Sequence, residues 1–351
     1  MAMPVQSRCI IVDKKNASRA IEMLRKCGCI RSELRIKHVN NSIKIPIKDV
    51  NEDLISRILS DINYTLCYDF FDERTPSKTY KDILKGRIPN QVIKELPRSY
   101  DIIGDIAIIK LKSLDLIEGL KDELAKAIMK ISKNVKSVYA EIPGLETEYR
   151  LRKLIHLGGE KRTLTIHREY GISMYVDVSK TYFNPSLAEE HRRIALEVRE
   201  GEIVGDLFTG VGPFALHIAT LKNSTIYAID VNPYAIECLI KSIIMNENKL
   251  KGKIVPINAD VRLILSILKD EVFDRVILNL PHKSLDFLPI AIEKLKRKGV
   301  AHIYLISERE ELAKDMVDNV CKILRCKVTY IRRVIDYAPH KFIYRVDVVK
   351  F

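Results

Sequence analysis

Six residues at the ends of apolar runs have the types that chemistry needs. Asp206 sits inside the end of Ile203–Phe208, and Gly210 and Gly212 follow it in Asp206-Leu207-Phe208-Thr209-Gly210-Val211-Gly212-Pro213-Phe214. Asp230 closes Thr225–Asp230, Asp260 follows Lys253–Asn258, and Asn279 ends Arg275–Asn279 before Leu280-Pro281-His282. Glycines after a strand let the backbone turn tightly and approach a ligand. A carboxylate at the end of the next strand can accept ribose hydroxyls. Taken bare, Gly210-x-Gly212-x-x-Ala215 plus Asp230 also satisfies the loose NAD fingerprint.

Three features favour S-adenosylmethionine over NAD. Asp206, four residues before the first glycine, can hold a methionine amino group. Pro213 removes an N–H at the helix start, which a pyrophosphate would use. Asn279 lies at the carboxyl edge, where open α/β sheets do their chemistry. Asp260 can contact the adenine amino group, cap the helix from Val261, or do both. Asn279 can donate and accept at a purine edge, or it is a strand-ending turn residue. Glu190 reads as a general base or as a solvated charge beside Glu189. Arg150 can fork onto a base oxygen, bind phosphate or sit in solvent. Arg152 points the same way as Arg150 if the stretch is extended, so one can hold base and the other phosphate. His282 can stack, donate or cap.

The elements that must position these residues alternate. From Asn184 onward, helices near Leu187–Val198, Phe214–Leu221, Pro233–Asn246, Val261–Leu268, Leu285–Lys296 and Arg309–Leu324 separate five short strands, the last Ala301–Ile306. This pattern predicts a parallel doubly wound sheet. Lys327–Arg333 and Lys341–Val349 follow as an antiparallel pair. Upstream, Cys9–Val12 and Ile43–Ile47 are expected strands, and Asn16–Cys27 and Val50–Leu59 helices. Asp72–Lys81, with Pro76, reads as a linker. Ile102–Leu111 reads as one buried strand, Leu116–Ile131 as a helix and Val135–Ala140 as a strand. Thr163–Arg168 and Ile172–Asp177 form a hairpin across Glu169–Gly171.

The fold class is therefore α/β, a class I Rossmann-type domain (a parallel sheet with an antiparallel C-terminal strand) plus small N-terminal α+β domains. The expected division is 1–70, 71–183 and 184–351. The net charge of +13 suits a polyanionic partner or a charged, thermophile-like surface. Arg168, Tyr170, Arg192, Arg193, Arg332, Arg333 and Tyr337 are candidates for a nucleic-acid path. No apolar run reaches about 18 residues, so no membrane span is expected. Met1–Asp13 lacks a signal-peptide pattern. The seven cysteines read as reduced thiols of a cytoplasmic protein, with Cys321–Cys326 the alternative disulfide. His156, His167, His191 and His340 look too scattered for a metal site, so no metal is expected.

Several stretches together resemble one family, the archaeal and eukaryal tRNA (guanine-37-N1) methyltransferases. They are Tyr149-Arg150-Leu151-Arg152, His156 to His167, Val176 to Pro185 and on to Glu190, the Asp206–Phe214 loop, Ala228 to Pro233, and Asn279-Leu280-Pro281-His282. Ile45 to Val50 resembles that family's small first domain. The resemblance implies S-adenosyl-L-methionine as cofactor and the tRNA anticodon loop, at position 37, as partner. It implies that Arg150 steadies charge on the base, Glu190 takes its proton, Asn279 binds its edge, and Tyr182 shapes the cofactor pocket. Asp206, Phe208, Gly210, Gly212, Asp230 and Asp260 complete the expected cofactor set. Pro281, His282 and Arg152 are expected at the substrate. His282 departs from the Lys or Arg that often follows Asn-Leu-Pro in guanine-N1 members. A related archaeal branch methylates carbon 7 of a tricyclic wyosine precursor, 4-demethylwyosine, at the same nucleotide, so that reaction stays open beside N1. A tRNA-binding protein with a spent site is the non-enzyme alternative, and intact Asp206, Gly210, Gly212, Asp230 and Asn279 oppose it. Nothing in the sequence calls for more than a monomer.

Overall fold

The computed structural model describes residues 4–73, 78–142 and 151–351. Contacts divide the chain into two compact units, 1–78 and 79–351. In the first, β1 (Val5–Asp13), α1 (Lys14–Lys26), β2 (Lys37–Val39), β3 (Ser42–Pro46), α2 (Glu52–Ile58) and β4 (Tyr64–Phe71) form a four-stranded sheet of order β2-β3-β1-β4. Its pairs are all antiparallel. Ile10, Val12, Ile43 and Ile45 alternate onto one face. There they bury against Ala17, Ala20 and Leu24 of α1 and Ile55 of α2. The sequence pattern did not mark β2 or β4. Cys9 and Cys67 face each other in the β1–β4 register and are joined as a disulfide. This overturns the expectation of reduced thiols throughout. The reason is cross-strand pairing, which a separation of 58 residues hides. Cys27, Cys29, Cys238, Cys321 and Cys326 remain free.

The second unit begins with α3 (Tyr80–Leu84), started by a capping box between Thr79 and Asp82, and α4 (Asn90–Glu95). The run expected as one strand at Ile102–Leu111 folds back on itself as β5 (Asp101–Ile103) and β6 (Ile106–Lys110). The turn is at Gly104, whose φ is +58°, and a Cβ there would lie 2.1 Å from Thr165 Oγ1. Only glycine permits both the turn and that close approach. The expected helix Leu116–Ile131 likewise breaks, leaving a short turn at Asp115–Ile117 and α5 (Lys121–Ile131). The expected strand Val135–Ala140 is β7 (Ser137–Glu141), and β8 (Leu154–Gly159), which the sequence pattern did not mark, completes a sheet of order β5-β6-β7-β8. β9 (Leu164–Glu169) and β10 (Ile172–Asp177) form the expected hairpin. Its turn, Tyr170-Gly171, has both φ values positive, as a two-residue hairpin turn matched to strand twist requires.

From residue 188 onward the chain runs α6 (Ala188–Glu197), β11 (Ile203–Asp206), α7 (Pro213–Leu221), β12 (Thr225–Asp230), α8 (Pro233–Met245) and β13 (Lys253–Asn258). Then come α9 (Val261–Ile267), β14 (Phe273–Leu278), α10 (Ser284–Lys294), β15 (Leu295–Ser307), α11 (Glu310–Leu324), β16 (Cys326–Ala338) and β17 (Lys341–Lys350). The sheet order is β13-β12-β11-β14-β15-β17-β16. The pairs from β13 to β15 are parallel, and β17 is antiparallel to both of its neighbours. β17 is therefore inserted between β15 and β16, not merely appended with β16 as a pair. The order reverses between β11 and β12 on one side and β14 on the other, which opens a crevice at the carboxyl ends. The expected boundary at 183–184 falls inside a shared core. Ile103, Ile106, Ile108 and Tyr139 pack in the same cluster as Met174, Val176, Phe214 and Ile218. Among the described residues no helix is long and apolar enough to cross a membrane.

Reduction of the Cys9–Cys67 bond should destabilise unit 1–78 by about 2–4 kcal/mol, because it releases the closed loop in the unfolded chain. Thermal melts with and without reductant, compared with Cys9→Ser, test this. The reductant effect should vanish in the variant.

Candidate active site

Four strand ends meet at one edge of the large sheet. Asp206 pairs in register with Ala228 and Ile277, and Asp230 with Asn258. Asn279 lies two residues beyond Ile277 and Asp260 two beyond Asn258, so the expected residues come together at the carboxyl edge. Asp206 is fully buried, and its Oδ2 accepts from Thr209 Oγ1 at 2.7 Å. Its Oδ1 is buried without a partner. Burial, with the nearby Asp230 charge adding to it, pushes the carboxyl up to about 7. Asp230 holds the loop: Oδ2 accepts from the Gly210 amide at 2.8 Å and Oδ1 from the Asn232 amide at 2.9 Å. Burial raises its carboxyl too, and those two amides oppose the shift. Both carboxylates keep lone pairs for a ligand.

The glycines do different work. Gly210 has φ +55°, and a Cβ there would come 3.6 Å from the Tyr182 carbonyl. Gly212 has φ +81°, and a Cβ would strike Leu239 Cδ1 at 2.3 Å. Gly212 lets α7 start against α8, whereas Gly210 keeps the loop thin. Asn232 Nδ2 donates to the Lys180 carbonyl at 2.7 Å, tying the segment that carries Tyr182 to the end of β12. Tyr182 is 45% exposed. Phe208 is half-buried, its ring edge-on to Phe287 at 4.9 Å. Asp260 is the N-cap of α9, accepting from the Arg262 amide at 2.7 Å. Its capping reading is thus realised, and its exposed second oxygen lies 3.8 Å from Arg262 Nη1.

Glu190 is not a solvated charge. It is 4% exposed, and its Oε1 accepts from Tyr304 Oη at 2.9 Å and Arg345 Nη1 at 3.2 Å. Arg193 Nε lies 3.9 Å from Oε2, whereas Glu189 beside it is exposed and pairs with Arg193. Tyr304 follows Ile303, which pairs with Leu278, so Tyr304 and Asn279 lie at the same level of adjacent strands. Burial, and then the Glu190 charge, push the Tyr304 hydroxyl well above its ordinary range, so it stays a donor. Arg345 also binds Glu197 at 2.9 Å and Asp347 at 3.0 Å. Burial works against the guanidinium charge, but the surrounding carboxylates hold it on. The network continues through His302 Nδ1, 2.7 Å from Asp347, to Arg275 and Glu202. Sequence reasoning missed Thr209, Tyr304 and Arg345. The signal for the last was two charges, Arg345 and Asp347, on one face of an otherwise apolar strand.

Arg152 requires a correction. Its side chain is 7% exposed, with Nη1 bound to Asp101 and Glu141 and Nη2 to the Phe183 carbonyl at 3.0 Å. Those bonds commit it to bracing the chain beside Tyr182, not to phosphate or base. Arg150 lies outside the described residues. Asn279 and Pro281 are half-buried, and among the described residues the Asn279 side chain makes no hydrogen bond. His282 is exposed, with Nε2 3.1 Å from Tyr337 Oη. Arg192 stacks over Tyr170 at 4.7 Å.

The family profile for the TRM5/TYW2 methyltransferase domain matches residues 165–329, and that for the TYW2 N-terminal domain matches residues 80–163. Trm5b of Methanocaldococcus jannaschii, a tRNA (guanine(37)-N(1))-methyltransferase, is 34% identical over 97% of both chains. The chain belongs to the TRM5/TYW2 methyltransferase family. Taw21 of Saccharolobus solfataricus, a tRNA 4-demethylwyosine(37)-methyltransferase, is 30% identical over 73% of this chain and 95% of its own. The solved complex of aTrm5 with tRNALeu covers 98% of this chain and 99% of the other, at 30% identity and TM-score 0.66. The bare Asp206 oxygen, the thin Gly210 loop and Asp230 fit the amino, sulfonium and ribose parts of the S-adenosylmethionine such methyltransferases use. In this TRM5/TYW2 chain, the buried Glu190 carboxylate on α6 is held by Tyr304 and Arg345, which stand on adjacent strands of the sheet whose carboxyl edge carries Asp206 and Asp230.

The raised Asp206 carboxyl sets a pH dependence. In the unliganded protein it keeps its proton when folded and loses it when unfolded, between about pH 4 and about pH 7. Its contribution is therefore full below pH 4 and is lost as pH rises through 7, with a slope of up to about 1.4 kcal/mol per pH unit. Asp206→Asn, which cannot ionise, should flatten that part of the stability curve. Urea unfolding of both proteins at several pH values between these limits measures it.

Proposed function

We propose that this chain transfers a methyl group from S-adenosyl-L-methionine to N1 of guanosine 37 in the tRNA anticodon loop. The observation that carries the reading is the similarity to Trm5b along 97% of both chains, which takes in the small N-terminal unit. When bound, S-adenosylmethionine supplies an electrophilic methyl group on a positively charged sulfur. Asp206 receives the amino group on its bare oxygen, and the neighbouring ammonium draws its carboxyl to the ionised form. Asp230 receives the ribose hydroxyls and Asp260 the adenine edge. Tyr182 and Phe208 wall the pocket.

Guanine N1 carries a proton at neutral pH and becomes a nucleophile when that proton leaves. Glu190 takes it. Tyr304 and Arg345 both bind Oε1, which leaves Oε2 as the accepting atom. Arg150 steadies the charge that passes to the base oxygen, and Asn279 fixes the base edge. Such acid–base assistance is worth about 10²–10⁴-fold. The target base must leave its stack to reach this edge. Residues 1–70 hold the tRNA body, residues 71–183 guide the strand, and 184–351 hold the cofactor. The protein acts as a cytoplasmic monomer.

Methylation of carbon 7 of 4-demethylwyosine is the second reading. It is favoured by the likeness to Taw21 and by His282, which meets Tyr337 where guanine-N1 relatives often carry Lys or Arg.

Mass spectrometry of nucleosides, after reaction with tRNA bearing plain G37 and with tRNA bearing the tricyclic precursor, separates the two readings. N1-methylguanosine from the first tRNA is the expected product, and methylation of the second tRNA alone would replace the proposal with its alternative. In single-turnover reactions Glu190→Gln should slow the chemical step on plain G37 by about 10²-fold or more, with tRNA and cofactor affinity retained.

A further inference from the structure

Away from the cofactor edge, three donor atoms from three elements converge in the core. Glu169 ends β9, His191 lies on α6 and His217 on α7, and their side chains are 1%, 2% and 1% exposed. The histidines, scattered in sequence, are brought together by folding. Glu169 Oε2 lies 2.9 Å from His191 Nδ1 and 3.0 Å from His217 Nε2, and all three atoms lie within 4.8 Å of one another. Glu169 Oε1, also buried, has no hydrogen-bond partner. His167 Nε2 lies 3.6 Å from it. His167 is not a further donor to the centre. Its Nδ1 accepts the Gly104 amide at 3.1 Å, which places the proton of the neutral ring on Nε2.

Among the described residues no Lys or Arg forms an ion pair with Glu169; its partners are the three histidines. A carboxylate in so dry a place needs a positive charge beside it. A cluster built only for hydrogen bonds would spread two imidazole donors over two oxygens. Here both go to one oxygen and the other is bare. Two imidazole nitrogens and a carboxylate oxygen gathered on one point form a donor set suited to zinc.

We propose that Glu169, His191 and His217 bind one divalent transition-metal ion of the zinc type. Glu169 Oε1 closes the coordination as the carboxylate's second oxygen, and His167 steadies that carboxylate from outside. The ion fastens β9 to α6 and α7. His191 follows Glu190, and its ring packs on Phe214 at 4.7 Å, so the ion also sets how α6 sits over the cofactor loop. The site stands whether or not Glu190 is the base.

The test uses the full chain, stripped with chelator and titrated with Co²⁺. One equivalent should bind, giving the visible absorption of a four- or five-coordinate nitrogen–oxygen site without a thiolate charge-transfer band. Zn²⁺ should displace it and raise the melting temperature. His217→Gln and Glu169→Gln should each abolish the stoichiometric signal while a folded circular-dichroism spectrum remains. If a variant fails to fold, the wild-type titration decides alone. No stoichiometric uptake, a thiolate spectrum, or full uptake in both folded variants overturns the proposal. The compensating charge would then be a proton on an imidazole.

Discussion

A guanidinium lies buried between β15, β17 and α6, and much of the second unit is arranged to neutralise it. Arg345 is 2% exposed and bound to Glu190, Glu197 and Asp347. Removing the guanidinium would leave buried Glu190 and Asp347 without their shared cation, which costs more than a pair itself contributes. The cluster therefore fixes α6 against the sheet, and α6 carries both Glu190 and His191. It also aligns the strands: Tyr304 faces Arg345 across β15–β17, and His302 faces Asp347. His302 accepts from Arg275 and so donates to Asp347, which passes the constraint on to β14. Asn279 directly follows that strand. A single charge thus links the base-like carboxylate to the substrate edge by continuous bonds.

The cofactor edge rests on a second constraint, the parallel register. Once β11, β12, β13 and β14 lie side by side, residues at equivalent positions must share an edge. Asp206, Asp230, Asp260 and Asn279 come together for that reason and need no direct contact with each other. The loop between β11 and α7 is then drawn tight by the Gly210 amide donated to Asp230, and by Thr209 on Asp206.

That second constraint was legible in the sequence because it is periodic. Strands and helices alternate from Asn184, and each carboxylate or amide stands at the end of an apolar run. The first constraint was not legible. Glu190 pairs with Arg345 across 155 residues, and nothing local announces it. Cys9 and Cys67 escaped for the same reason. Other misses were local but silent. Gly104 splits an apolar run that has the length of one strand, and Gly119 splits an amphipathic stretch. A period of two or of 3.6 does not register a single positive φ. Arg152 misled because an arginine beside another arginine reads as a basic patch. Its acidic partners, Asp101 and Glu141, lie on strands that only folding brings near.

The position of β17 has a consequence for how the molecule comes into being. It occupies an inner slot of the sheet, yet it is made after every other strand. On a ribosome adding about 5–20 residues per second, Glu190 emerges roughly 8 to 30 seconds before Arg345. For that interval Glu190, a carboxylate meant for a dry interior, has Arg193 near it but not Arg345, and two strands, β15 and β16, have a gap between them. The Rossmann core can begin to collapse, but the surroundings of Glu190 stay open until β17 has been made. Competence thus arrives in one late step, as a strand threads home between neighbours already waiting for it.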